Sequence, residues 1–438
     1  MSAESTSQPL TQTEAEIEQY YRRNFAAGLV HGTFFQMSTA FGSIHTVLPA
    51  FVTLLTPSTL AVGLMAAIQE VGQIVPQLFT AYLIEDKPRK KKYLLAIITL
   101  RWLSWGLLAW LTYQYGLSQP GLVLTALVSL FGIFSLAGGM GSVIFADIFA
   151  RVIPAERRGR FIGTRQILGF ALAILAGWIV KLILDNEIAL PFPTNYSLIF
   201  GLSAISLAVA LTGFTMIKEP AYTAQRKSKS LMALLRQSVV LVRLNANFRR
   251  FLAGRAILGL AIGLAPFYII HARQTLDVSA GAVGSFLAFQ MAGAALSNIL
   301  WAWLADKFGN KASILGTTIA AGLAPALALG LIGLPSNLAT AAYAVVFALL
   351  GALQSGRRIG FDNFVLEIAT PEMRATCVAL QNTLLAPITI LPLAAGFLID
   401  RLSFEVVFGA EAILLGAGLL ILFRLLDPRH DPAGACIS

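Results

Sequence analysis

Charge is what this chain has least of. Only 12% of its residues are Asp, Glu, Lys or Arg, against roughly 25% in an average soluble domain. A soluble multi-domain protein needs a hydrophilic surface that this sequence does not supply. Acid is scarcer than base, 22 residues against 32, which leaves a net charge of +10. Cysteine occurs only at Cys377 and Cys436, so no disulfide framework is implied. The few Cys and His residues have no metal-ligand spacing. A Gly-x-x-x-x-Gly-Lys-Ser/Thr loop is missing, which argues against an ATP-driven pump, and so is a nucleophile elbow. No catalytic residue, metal or cofactor is expected.

What is abundant is apolar sequence, 57% of 438 residues. That is enough for about a dozen membrane spans of roughly 20 residues with short loops. Twelve are read, at about 25–55, 59–84, 93–114, 120–146, 161–184, 196–217, 250–271, 279–304, 312–332, 338–368, 376–399 and 404–426. They are called spans 1 to 12. The expected fold class is therefore an all-α integral membrane protein. Spans 1 and 10 are long, which implies tilt or kinks. Pro49, Pro76, Pro266, Pro325, Pro387 and Pro392 lie inside spans and mark bends rather than breaks.

The basic residues set the orientation. With the N-terminus inside, 24 of the 32 cations fall in inside loops and tails, and outside ends keep only Lys181, Arg273 and Arg401. This asymmetry predicts a multi-pass protein of the plasma membrane, a bacterial inner membrane, with both termini cytoplasmic. It also accounts for the positive charge without nucleic acid. Residues 1–24 form a polar tail carrying Glu4, Glu14, Glu16 and Glu18. They lack the order of a cleaved signal peptide, so span 1 is expected to act as its own insertion signal.

One block occurs twice. Ala61-Val62-Gly63, Gln69, Gly72, Leu83 and Glu85 return 221 positions later as Ala282-Val283-Gly284, Gln290, Gly293, Leu304 and Asp306. Duplicated membrane halves are the build of many secondary transporters. The predicted organisation is a six-helix half at 25–217, a linker at 218–249, a second half at 250–426 and a tail at 427–438. Residues 230–245 carry apolar positions at helical spacing around Arg236 and Arg243. An amphipathic helix on the membrane surface and a soluble linker helix both fit this pattern.

The stretch Ala302-Trp303-Leu304-Ala305-Asp306-Lys307-Phe308-Gly309-Asn310-Lys311 resembles the loop signature of the major facilitator superfamily, Gly-x-Leu-Ala-Asp-Arg-x-Gly-Arg-Lys. The first-half copy, Ala81 to Lys90, is more degenerate, with Glu85 for Asp and Pro88 for Gly. Pro154 to Arg160 and Pro371 to Arg374 are companion elements leading into spans 5 and 11. The resemblance covers about residues 20–426. It implies two pseudo-symmetric six-helix halves that carry a small solute by alternating access, as a monomer in the lipid bilayer. It also implies a cytoplasmic gate, here Glu85, Arg89, Asp147, Arg158, Asp306, Lys307 and Arg374. A carboxylate at a helix end can accept from the open N–H groups of a neighbouring helix. The competing reading is that loop cations only set topology. Span 5 lacks the Gly-Pro element of the family's drug/proton antiporters and has Gly163, Gly169 and Gly177 instead.

Ionisable groups inside spans are costly and usually face a cavity. Glu70, with Gln73 and Gln77 on one helical face, is the expected proton-coupling residue. Its repeat partner is Met291. The competing role is an ion pair with an arginine. Gln36 and Thr39 share a face of span 1 with Gly32 and Ser43, which suits a cavity wall or close packing. The resemblance places them, with Arg357 and Arg358 of span 10, on the solute path. Gln69, Gln73, Arg101, Gln290 and Asn382 complete the solute-contact candidates. Arg357 or Arg358 is expected to pair with Asp362, while Arg165 and Arg255 are expected to snorkel or join the gate. The surplus of arginines over acids favours an organic anion. The expected function is a proton-coupled secondary transporter. The alternatives are a proton-coupled drug or metabolite exporter, and a non-transporting sensor or assembly protein on the same scaffold.

Overall fold

The computed structural model describes residues 12–84, 87–185, 190–220, 245–369 and 374–429. Every regular element among them is a helix. Eleven of these helices are long and apolar enough to cross a membrane. Gln12–Phe41 is not among them because its first half is polar and charged; its apolar half and Val47–Leu55 together make span 1. Spans 2 to 9 are the helices Thr59–Ile84, Lys91–Tyr115, Pro120–Val152, Ala155–Leu184, Thr194–Thr215, Ala246–Thr275, Ala282–Phe308 and Asn310–Gly330. Span 12 is Phe404–Phe423. The amphipathic stretch expected at 230–245 falls largely outside the described residues.

Three spans are interrupted, and each interruption has a local cause. Span 1 breaks at residues 42–46. A Cβ on Gly42 would come within 2.2 Å of the Trp105 ring, so the chain lies flat on that indole there. Span 10 runs as Ser336–Gly356, a π-helical turn at Arg357–Phe361, and Asp362–Ile368. Span 11 runs as Arg374–Leu385, a 3₁₀ turn at Ala386–Ile390, and Leu391–Arg401. Pro387 and Pro392 withhold two backbone donors across that turn. The kinks anticipated in spans 1 and 10 are thus a break and a π turn, a feature often placed at functional sites.

The end of the bundle where residues 12 and 429 lie is called here the terminal end, and the opposite end the far end. The two halves meet along two seams, span 2 on span 11 and span 5 on span 8. Glycine makes both seams close. A Cβ on Gly63 would sit 2.3 Å from the Pro392 carbonyl oxygen, and one on Gly284 would sit 2.1 Å from the Lys181 nitrogen. These two glycines are partners in the duplicated block. Small residues let membrane helices pack backbone to backbone, where dispersion and not the hydrophobic effect holds them.

The hydrophobic core follows the same plan. One cluster runs through the far end of both halves and down the second half, including Phe51, Tyr196, Phe267, Phe286 and Phe361. The terminal end of the first half has a separate core around Ile148, Phe161 and Phe214. The halves are therefore fused at the far end and divided at the terminal end.

Gly284→Val should overpack the seam and cost about 1–3 kcal/mol, read as a lower melting temperature of the detergent-purified protein. Gly201→Ala, with open space around its position, should hold or raise stability by up to about 1 kcal/mol.

Candidate functional site

Between the halves lies a cavity in two large chambers. The second-half chamber has a volume of about 520 Å³ and the first-half chamber about 480 Å³. His45, Gln69, Gln73, Gln354 and Arg358 line both. The break in span 1 presents His45, and the π turn in span 10 turns Arg357 and Arg358 toward the opening.

The second-half chamber holds the carboxylates. Arg357 Nη1 stands 3.8 Å from Glu70 Oε2, both half-buried. This pair joins span 10 to span 2 and so crosses between the halves. Contrary to the pairing expected from sequence, Asp362 pairs with neither adjacent arginine; it accepts from Arg255 Nη2 at 2.6 Å. The Gln381 amide, oriented to satisfy both groups, accepts from Arg255 Nε at 3.0 Å. Arg255 therefore neither snorkels nor reaches the gate, because a carboxylate and an amide hold it at the chamber wall. Asn382 lines the same chamber.

The first-half chamber has a different character. Arg101, Arg165 and Arg358 line it, and among the described residues it has no carboxylate. Arg101 is 8% exposed. Its guanidinium lies over the rings of Phe134, at 3.9 Å, and Phe35, at 4.7 Å. Arg165 lies over Phe145 at 4.8 Å and against Gly32, where any Cβ would collide with it. The Nε atoms of both have no hydrogen-bond partner. Arg165, expected to snorkel or join the gate, is thus a cavity residue. Gln36 and Thr39 line this chamber; the Thr39 hydroxyl donates to the Gln36 carbonyl at 2.8 Å. Met291, the repeat partner of Glu70, lines it as well.

Other candidates lie elsewhere. Gln290 is fully buried, packed where span 8 meets Gly351 of span 10, and it lines neither chamber. His31, at the edge of the first-half chamber, donates from Nδ1 to the Ala210 carbonyl at 3.0 Å, a structural role. Sequence reasoning left two polar residues unassigned that the cavity uses. Gln354 borders both chambers with its Nε2 unpartnered. Asn298 links Gln166 of span 5, at 3.1 Å, to Ser355 of span 10, at 2.9 Å.

At the terminal end four of the described gate candidates, Asp147, Arg158, Lys307 and Arg374, are engaged within their own halves. Asp147 pairs with Lys90 at 3.0 Å and Arg151 at 2.8 Å. Arg158 donates to the carbonyls of Ile153 and Ala150. Arg374 donates to the Leu366 carbonyl at 3.1 Å. Arg89 and Asp306 are exposed, and Lys307 lies over the Trp303 and Phe308 rings. Glu85 and Pro371 to Met373 are outside the described residues.

The far end is closed by contacts across the halves. Asp400, at the end of span 11, accepts from the Thr59 backbone N–H at 2.9 Å, the Thr59 hydroxyl at 2.8 Å and the Ser58 hydroxyl at 2.9 Å. It thereby caps the N-terminus of span 2. Asp185, at the end of span 5, sits against Gly281 at the start of span 8. The two carboxylates occupy equivalent places in the two halves, so the far-end closure is itself duplicated.

Comparison with known proteins agrees with this architecture. The family model described as Major Facilitator Superfamily matches residues 251–435. No curated protein matches the chain in sequence. Among solved structures, a point mutant of the nucleoside transporter NupG superposes with a TM-score of 0.72 at 15% identity, covering 92% of this chain and all of that one. A D-xylose-proton symporter gives 0.68 at 16% identity, covering 93% and 98%. An auto-inhibited peptide transporter of the POT family gives 0.68 at 10% identity, covering 92% and 98%. The second half of the chain thus matches the Major Facilitator Superfamily model, and the chain as a whole shares the fold of these solved transporters.

Proposed function

We propose that this protein is a secondary transporter that carries a small organic anion by alternating access and couples it to protons through Glu70. The observation that carries the reading is the first-half chamber: three arginines and, among the described residues, no carboxylate. Cations lining a cavity without acids select against lipophilic cations and for anions. The similar structures are named for nucleoside, xylose-proton and peptide transport, which supports solute transport for the fold.

In this reading the terminal end faces the cytoplasm of a bacterial inner membrane, and the conformation is open to that side. The gate is then in its released state, with Asp147, Arg158, Lys307 and Arg374 each held by its own half. Closing it requires the far-end caps at Asp400 and Asp185 to part as the halves rock. Glu70 links charge to this motion. Ionised, it attracts Arg357 across the halves; protonated, it lets go. At such partial exposure the pair is worth on the order of 1 kcal/mol. That is enough to bias two states about fivefold and weak enough to break in every cycle.

Glu70→Gln should abolish proton-driven accumulation in proteoliposomes while leaving exchange between two solute pools intact. Unchanged accumulation would remove Glu70 from the coupling step. Asp400→Ala should weaken far-end closure by about 0.5–2 kcal/mol, as for loss of a helix cap. In a background of Cys377→Ser and Cys436→Ser, a cysteine replacing Gln36 should then react roughly two- to thirtyfold faster with an impermeant thiol reagent added from the far side.

A further inference from the structure

The charges lining the cavity are divided unevenly. Among the described residues five arginines line its two chambers, against two carboxylates, Glu70 and Asp362. Both carboxylates are in the second-half chamber, and both are engaged there by Arg357 and Arg255. The uncompensated charge is therefore concentrated in one place, at Arg101, Arg165 and Arg358. A membrane protein does not hold three guanidinium groups this way without a counter-charge to receive.

We infer that the substrate is a phosphate monoester whose dianionic head binds among Arg101, Arg165 and Arg358, an inference that rests on the anion transport proposed above. Charge is the first reason. A carboxylate brings one negative charge on two oxygens; a phosphate monoester brings close to two on three strong acceptors. The donors are the second. Guanidinium forks match oxyanions in a way that an ammonium does not. Arg101 and Arg165 are held flat on phenylalanine rings with their Nε atoms unpartnered, so their donors are already oriented, and Arg101 is more than nine-tenths buried.

A dicarboxylate would satisfy the same total charge only by spreading it. A phosphate monoester instead concentrates it on one head, among Arg101, Arg165 and Arg358. The substrate's body then lies toward the shared wall, where carboxamides of Gln69, Gln73 and Gln354 meet it. Amides donate and accept together, so they suit hydroxyl groups better than an apolar tail. The chamber volume of about 480 Å³ fits a small metabolite.

The test uses the full-length protein purified in detergent, with glycerol phosphate, inorganic phosphate, succinate and lactate at equal ionic strength. Glycerol phosphate should raise the melting temperature by several degrees, and inorganic phosphate by less. Arg358→Gln should remove the shift. Arg358 is exposed to the cavity, so this change leaves the packing in place. In a Glu70→Gln background, which removes that group's own titration, glycerol phosphate should bind about tenfold more weakly near pH 5 than near pH 7.5, because its second ionisation lies near pH 6. Equal or greater stabilisation by succinate or lactate would overturn the phosphate head and leave anion transport standing. Stabilisation by none of the four, but by an uncharged nucleoside or sugar, would overturn both.

Discussion

A bilayer offers no water to a buried charge, and most of this architecture follows from that constraint. Arg101, Arg165, Arg255, Arg357 and Arg358 lie inside spans. None could stay there against lipid without a cost of several kcal/mol. They are tolerated because the two halves part at the terminal end and enclose a cavity that these side chains line. Where the halves touch, the surface is glycine, alanine and aromatic carbon. Where they part, it is arginine, glutamine and the two carboxylates. The division between packing and chemistry is the division between the two ends.

Duplication shapes the packing more strictly than the chemistry. Gly63 and Gly284 bring the two seams to backbone contact in the same manner. Gly72 and Gly293 repeat the pattern inside each half, against Ser135 and Ala348. Asp400 and Asp185 sit at equivalent helix ends. The cavity breaks the symmetry. Glu70 faces Arg357, whereas its partner Met291 lines the arginine chamber. Gln69 lines both chambers, whereas its partner Gln290 is buried in helix packing. The scaffold keeps the duplication, and the lining of the cavity departs from it.

The scaffold was legible in the sequence because each signal was local. Span count comes from apolar runs, the halves from the repeated Ala-Val-Gly block, and the candidate charges from their position within spans. Glu70, Gln73, Arg101, Arg357, Arg358 and Asn382 all line the cavity. The pairing of these charges was not legible. Asp362 is four positions from Arg358, yet it holds Arg255, 107 residues away, because the π turn swings the two adjacent arginines toward the other half. Arg165 lies near the terminal end of its span and read as a snorkelling residue; only the contact with Gly32 shows it turned inward. Asp400 gave no signal, since the backbone N–H groups that it caps are about 340 residues away in the chain.

The account turns on one end of the bundle opening as the other closes. Pulsed dipolar distances between spin labels would test this directly, with one pair at Arg160 and Lys311 on the terminal end and another at Gln119 and Asn337 on the far end. Between the unmodified protein and a Glu70→Gln variant, the account predicts two populations that interchange reciprocally: the terminal pair shortens as the far pair lengthens. Distances that stay fixed, or that change together, would contradict it.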